Sequence, residues 1–401
     1  MHLACVDGGA NHPADMRYAC ATCGGILEVR EPQGLAGPPT ATGMWRHGDR
    51  LSVADRSAIV SLGEGDTPLH RADRLEAAID GFDGALWIKD ETTNPTGSFK
   101  DRAMSAAVSR ARELGLPGIV CASSGNAGAS AAAYAARAGM PCVVVVPAQT
   151  PAEKVTQIAG YGATLVRVDG HYSFSYRAGL ELGERHRFAN TTTTYLNPYG
   201  VDGLKVAGYE LADAFGDTPP DWIAVPTGAG PLVKGIVQGF RERGGTMPRV
   251  IAVQAEGCAP IVRAFAAGAR TVEAWGPPTT FASGISDPLI GYERDGTHTL
   301  DLVRATDGIA IAVTDDEIRA AMRTLAHREG ILAEPTGASS IAAIARLAAD
   351  GRLARGSRVV AMVTGHGFKD LKVWREMPSD MHHIADPAEI GRIAEMLARP
   401  A

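Results

Sequence analysis

KDETTNPTGSFKDR, residues 89–102, is the stretch on which the reading of the chain turns. Its centre, Asn94-Pro95-Thr96-Gly97, is turn chemistry: proline presets φ, glycine admits positive φ, and the Asn and Thr side chains bond nearby backbone. Ser98 stands where an N-cap belongs, ahead of a helix opening at Phe99. That places Lys100 in the first helical turn, near the positive end of the helix dipole, where an amine loses basicity. A lysine needs that loss to act as a nucleophile near neutral pH. Taken alone, the same residue also fits an ordinary solvated helix lysine.

Beyond this stretch, short apolar runs alternate with helical ones. Strands are expected at 119–122, 142–146, 164–168, 222–225, 250–254, 309–313 and 359–363. Helices are expected at 99–114, 127–138, 172–187, 232–243, 315–329 and 338–350. This order predicts an α/β fold with mostly parallel sheets covered on both faces. In such folds ligands sit in the loops at the carboxyl ends of strands.

Glycine-rich turns fall at those ends. Ser123-Ser124-Gly125-Asn126 opens a helix and offers hydroxyls, an amide and N–H groups to a carboxylate; helix capping is the plainer alternative. Thr227-Gly228-Ala229-Gly230-Pro231-Leu232 joins a strand to a helix and suits a phosphate. It lacks the Gly-Lys-Ser/Thr ending of a Walker loop, and Val233 stands where a dinucleotide fingerprint has its third glycine. Thr364-Gly365-His366-Gly367 follows the last strand, and His366 reads as a loop-orienting residue. The turn at 334–338 reads as a helix cap. A helix-start lysine, a carboxylate cradle, a phosphate cradle and a hydroxyl-bearing final loop together describe a pyridoxal 5′-phosphate site.

With 401 residues the chain has room for two or more domains, and 45% hydrophobic with 21% charged residues marks a globular protein. A net charge of −6 argues against nucleic-acid or membrane-surface partners. No run reaches transmembrane length, and the first twenty residues hold no apolar stretch like a secretory signal. A cytoplasmic protein is expected. Residues 1–58 form a separate ribbon-like module ending in a Pro/Gly-rich linker at 32–43. Cys20 and Cys23 make a C-x2-C knuckle, Cys5 precedes them, and Gly8 stands where a fourth cysteine would fall. Zinc there needs His12 or His2 as a substitute ligand; the alternative is a ribbon that keeps its turns without metal.

Three motifs, 94–102 around Lys100, Ser124-Gly-Asn-Ala-Gly128 and 364–370, resemble those of the threonine synthase family of fold-type-II pyridoxal-phosphate enzymes. The knuckle before Gly24-Gly25 is similar to the N-terminal segment of some members. The resemblance implies a tryptophan synthase β-like fold of two three-layer α/β domains. A large one takes 59–100 and 205–378, a small one takes 101–204, and a helical tail follows at 379–401. It implies that Lys100 holds the cofactor as a Schiff base and then moves protons, beside Phe99. Asn126 meets the ring oxygen, Thr227, Gly228, Ala229, Gly230 and Leu232 hold the phosphate, and Thr364 meets the ring nitrogen. Thr96, Ser98, Ser123, Ser124, Gly125, Lys205 and Asp287 are the implied substrate residues, with Arg102 a further phosphate partner. A homodimer acting on an amino acid is implied, with conversion of O-phosphohomoserine to threonine and phosphate as the reference reaction.

The chain departs from the family pattern at three places. Pro231 removes an N–H from the phosphate loop. Gly200 stands where an arginine is common, and Leu204 and Val206 replace polar residues. Asp287 stands where Asn is expected before Pro288, either to face a substrate hydroxyl or ammonium or, more simply, to cap the next turn. Three readings stay open: threonine synthase, a replacement synthase or ammonia-lyase with an unphosphorylated substrate, and a non-catalytic relative, against which the intact Lys100 argues.

Overall fold

The computed structural model describes residues 1–35, 42–169, 172–192, 194–377, 381–385 and 390–397. Apolar runs too short for helices are hidden as strands. Alternation in the first thirty residues gives β1 (His2–Cys5), β2 (Asn11–His12) and β3 (Leu27–Arg30), an antiparallel ribbon ordered β2-β1-β3. The centre of the expected linker, 36–41, lies outside the described residues.

β4 (Leu69–Arg71) and β5 (Gly84–Asp90) begin a six-stranded sheet. The chain then leaves to build a four-stranded parallel sheet from β6 (Ile119–Cys121), β7 (Cys142–Pro147), β8 (Thr164–Val168) and β9 (Ala189–Asn190), ordered β8-β7-β6-β9. It returns with β10 (Trp222–Pro226), β11 (Arg249–Ala255), β12 (Ile309–Val313) and β13 (Ser357–Val363). The larger sheet runs β12-β11-β10-β13-β5-β4 and is parallel except for β4. The antiparallel edge strand β4 was not expected from the sequence; three residues are too few to show a period.

Each sheet has its own core. Val144, Val146, Cys121 and Ile119 pack with the alanine-rich helix Asn126–Ala138 in the small sheet. Ile223, Val225, Val250, Ala252 and Val360 pack with the helix Pro231–Arg243 in the large one. Register brings the chemistry to one edge. Ala361 pairs with both Ile88 and Ala224, and Val363 with Asp90, so β5, β10 and β13 end together.

Residues Met1–Lys369 make one compact unit and Asp370–Ala401 a second. In the second, the helices Leu371–Arg375 and Ile390–Leu397 are described, while 378–380, 386–389 and 398–401 of the expected tail region lie outside the described residues. Among the described residues no helix is long and apolar enough to cross a membrane.

Candidate active site

The turn at 94–97 forms as its residues dictate, with the Gly97 N–H donating to Asn94 O at 2.7 Å and Gly97 at φ +83°. The helix Lys100–Glu113 follows it. Ser98 does not cap this helix: its backbone pairs with Gly365, and its buried hydroxyl has no hydrogen-bond partner. The pairing takes Ser98 out of capping geometry and ties the lysine loop to the loop after β13. The Phe99 N–H donates to Thr364 O at 3.1 Å, and the His366 N–H to Gly97 O at 2.9 Å. His366 Nδ1 accepts from the Phe368 N–H, the loop-holding role expected of it.

Lys100 is partly buried, its ammonium 4.5 Å above the Phe99 ring. Burial brings its pKa down to about 8, against weaker upward pulls from Cys121, Asp287 and Glu334. It lines a small pocket with Met104, Thr191, Thr192, Thr194, Asn197 and Gly200, closed by Pro231. Gly200 lies on the short helix Pro198–Gly203, where Asn197 accepts from the Tyr199 and Gly200 N–H groups and Pro198 takes the first turn.

The loop 227–230 enters the helix Pro231–Arg243 through Gly230 at φ +108°, where a Cβ would run into the Thr299 side chain. Thr299 donates to Ala229 O at 2.6 Å, and the Tyr195 hydroxyl to Gly230 O at 3.0 Å, so the loop is held from behind. The Thr227 hydroxyl is turned back onto Val225 O, and Leu232 is in the core of the large sheet. Asn126 begins its helix and donates to Glu334 Oε1 at 2.7 Å. Ser123 accepts from the Gly125 N–H, and Ser124 is half-buried beside it. The Thr364 hydroxyl is buried, with no hydrogen-bond partner among the described residues. Asp287 accepts from the Leu289 N–H at 3.1 Å and the Tyr292 hydroxyl at 2.7 Å, and lies against Gly228. Burial raises its carboxyl, the Tyr292 and Leu289 bonds oppose that, and Lys100 is close enough to add a downward pull.

Lys205, Arg102 and Thr96 do not join this group. Lys205 is wholly buried against Asp202 at 2.7 Å and Glu242 at 3.4 Å. Arg102 is enclosed by Glu91 and Glu210. The Thr96 N–H and hydroxyl are both spent on Asp101. All three have their polar groups committed to buried partners within the chain, as buried polar groups usually are. The three N-terminal cysteines do converge, their sulfurs within 4.8 Å of one another.

Residues 60–365 match the family model described as pyridoxal-phosphate dependent enzyme. The chain belongs to that family. Within it the chain is similar to threonine synthases: the enzyme of that name from Methanocaldococcus jannaschii is 36% identical over 380 residues, covering 91% of this chain and 92% of that protein. The threonine synthase of Methanosarcina acetivorans is 36% identical over 382 residues, covering 92% of each. Maize serine racemase shares the fold, with a TM-score of 0.65 and 23% identity over 78% of this chain and 92% of that one. The protein is therefore a fold-type-II pyridoxal-phosphate-dependent enzyme of the lyase kind.

The residues present fit the cofactor. An amine with lowered basicity, a glycine loop at a helix N-terminus and an unpartnered buried hydroxyl at Thr364 are the groups it needs. Two features escaped the sequence reading. Glu334, taken for part of a capping turn, makes no cap and instead reaches Asn126, while its N–H donates to Gly365 O at 2.9 Å. The threonine-rich stretch 191–194, of which Thr193 lies outside the described residues, forms a wall of the lysine pocket. A run of threonines after a strand end was the available signal.

Proposed function

We propose that this enzyme is a threonine synthase, releasing phosphate from O-phosphohomoserine and forming threonine. The observation that carries the reading is Lys100, at an ammonium pKa of about 8, in the wall of a pocket lined by Thr191, Thr192, Thr194 and Asn197. The 36% identity with threonine synthases over 92% of their length supports it.

Bound pyridoxal phosphate supplies a ring that takes up the electrons released at the substrate's α carbon. Lys100 holds the cofactor and then, as a partly neutral amine, takes and returns the protons at the neighbouring carbons. Ser123, Ser124 and the N–H groups at the start of the Asn126 helix hold the substrate carboxylate. The loop 227–230 cradles the cofactor phosphate, with Pro231 contributing no N–H. Thr364 offers a neutral hydroxyl to the ring nitrogen, which favours elimination and replacement over transamination. Asn126, held by Glu334, would meet the ring oxygen, and Asp287, near Lys100, would meet the substrate.

One observation favours a second reading, lyase or replacement chemistry on an unphosphorylated amino acid. Gly200 borders the lysine pocket, while Lys205 and Arg102 are committed to buried carboxylates. Substrate phosphate would then rest on hydroxyls and amides rather than a guanidinium. The deciding measurement is phosphate release from O-phosphohomoserine with threonine formed in equal amount. If neither forms while serine or threonine is converted to an oxo acid and ammonia, the second reading replaces the first.

The same reading takes the enzyme as a cytoplasmic protein and, on its resemblance to the family, as a homodimer. It takes 59–100 with 205–378 as a large domain and 101–204 as a small one closing over the substrate, supported by the sheet each span supplies. Light scattering on the purified protein tests the dimer.

A further inference from the structure

The N-terminal ribbon gathers three cysteine sulfurs in one place, with a histidine nitrogen beside one of them. Cys5 closes β1, while Cys20 and Cys23 flank a tight turn, and the three sulfurs lie within 4.8 Å of one another. Cys5 Sγ and Cys23 Sγ are 3.5 Å apart, and none of the three is in a disulfide. Sulfurs bound to one tetrahedral zinc at about 2.3 Å stand roughly 3.8 Å apart, so the spacing is near that of a filled site. His12, on β2, brings Nε2 to 3.3 Å from Cys20 Sγ. The backbone is shaped for sulfur ligands too. N–H groups of Cys23 and Thr22 bond the Cys20 sulfur, and that of Gly25 bonds Cys23. A Cβ at Gly25 would lie 3.0 and 3.1 Å from the Cys23 and Cys5 sulfurs, so the bare glycine leaves room beside them.

We propose that Cys5, Cys20, Cys23 and His12 form a structural zinc site, with His12 replacing the cysteine that Gly8 omits from an otherwise ribbon-like pattern. Metal at His12 Nε2 puts the ring proton on Nδ1. Arg17, clamped by Asp15, lies 3.3 Å from Nδ1 and can only donate, so filling the site requires this guanidinium to turn aside from the protonated Nδ1. The ribbon needs such a staple. Its three strands hold four, two and four residues, too few to bury a core of their own. The ribbon is also an anchor for the site. The Tyr199 hydroxyl, on the Gly200 helix, donates to Asp15 O at 2.7 Å, and Lys234 pairs with Glu28 at 2.6 Å. Arg294 donates to Cys23 O at 3.2 Å, within the knuckle itself.

The test is elemental analysis of the holoenzyme, purified with reductant and without chelator. One zinc per chain is expected, absent from Cys20→Ser and Cys23→Ser. His12→Gln should weaken zinc retention against a competing chelator by about tenfold or more at unchanged cofactor content. Because a cysteine variant can lose metal by misfolding, metal-stripped, reduced wild-type holoenzyme is also titrated with Co²⁺ and followed by difference absorbance. A sulfur-to-cobalt charge-transfer band and tetrahedral d–d bands, saturating at one equivalent, support the site. Holoenzyme without zinc that also develops no cobalt bands overturns it. So does a Cys5–Cys23 disulfide, seen as the loss of two hydrogens in the intact mass, and so does unchanged zinc retention in His12→Gln.

Discussion

Lys100 and Arg102 are two residues apart on one helix and live in opposite electrostatic worlds. Arg102 is fully buried and fully engaged, with bonds of 2.8 Å to both oxygens of Glu91 and 2.7 Å to both of Glu210. Lys89 joins Glu210 at 2.6 Å, and the Thr67 hydroxyl completes the knot through Glu91. Lys100 instead has its charge weakened by burial, and in the loops that precede it and follow β13 the buried hydroxyls of Ser98 and Thr364 have no hydrogen-bond partner among the described residues. Buried polar groups are normally satisfied. The satisfied groups around Arg102 build scaffold; the unpartnered hydroxyls of Ser98 and Thr364 leave work for a ligand.

The largest expected effect comes from cutting the satisfied side. Arg102→Leu strands two buried carboxylates and should cost about 3–5 kcal/mol in urea unfolding. Burial alone would raise Glu91 and Glu210, but the Arg102 charge and hydrogen bonds outweigh it and hold both below the ordinary value of 4.5. A depressed carboxylate stabilises the fold above its unfolded pKa and loses that contribution as pH falls through the folded one. Wild-type stability should therefore fall with acidification below about pH 4.5, and Arg102→Leu should flatten that slope. A variant as stable as wild type would mean the knot is not what holds this helix.

On the open side, Lys100→Ala should lower turnover by about 10²–10⁴-fold without lowering the unfolding midpoint. The pH slope has the same sign as that of the carboxylates, in a higher window, but here rising pH relieves a cost rather than supplying a gain. Lys100 has a folded pKa of about 8 against an ordinary 10.5, so folding disfavours its proton. The cost is fully present below pH 8 and is relieved as pH rises toward 10.5, because the unfolded chain binds the extra proton across that window. In cofactor-free protein Lys100→Met should be the more stable at pH 7, with the advantage shrinking above pH 8. An advantage independent of pH would place Lys100 in water.

Much of the site was legible because glycine, proline and lysine at turn positions carry local meaning. The 94–97 turn, the 227–230 loop and the helix at Lys100 form where their residues dictate, and alternating runs gave the parallel sheets. What was not legible depends on neighbours distant in sequence. Nothing around Ser98 announces that Gly365 will pair with it. Nothing local tells Lys205, locked onto Asp202, from a lysine facing substrate. Glu334 looked like a cap because its partner, Asn126, is 208 residues away.

The finest test sets two buried threonine hydroxyls against each other. Thr67 donates to Glu91 Oε1 at 2.8 Å and accepts from Arg102 at 3.1 Å, whereas Thr364 Oγ1 has no hydrogen-bond partner. Valine keeps the shape of either residue and removes its hydroxyl. Thr67→Val should cost about 1.5–3 kcal/mol, since its bonds are to charged groups. Thr364→Val in cofactor-free protein should be neutral or stabilising by up to about 1 kcal/mol, because a desolvated hydroxyl is relieved rather than a bond lost. The loss should appear only on titrating pyridoxal phosphate, as affinity lowered by up to about tenfold, one hydrogen bond's worth. A Thr364→Val protein that unfolds as readily as Thr67→Val would show that the hydroxyl is already satisfied by the chain, and the contrast between the closed Arg102 knot and the open site would fail at Thr364.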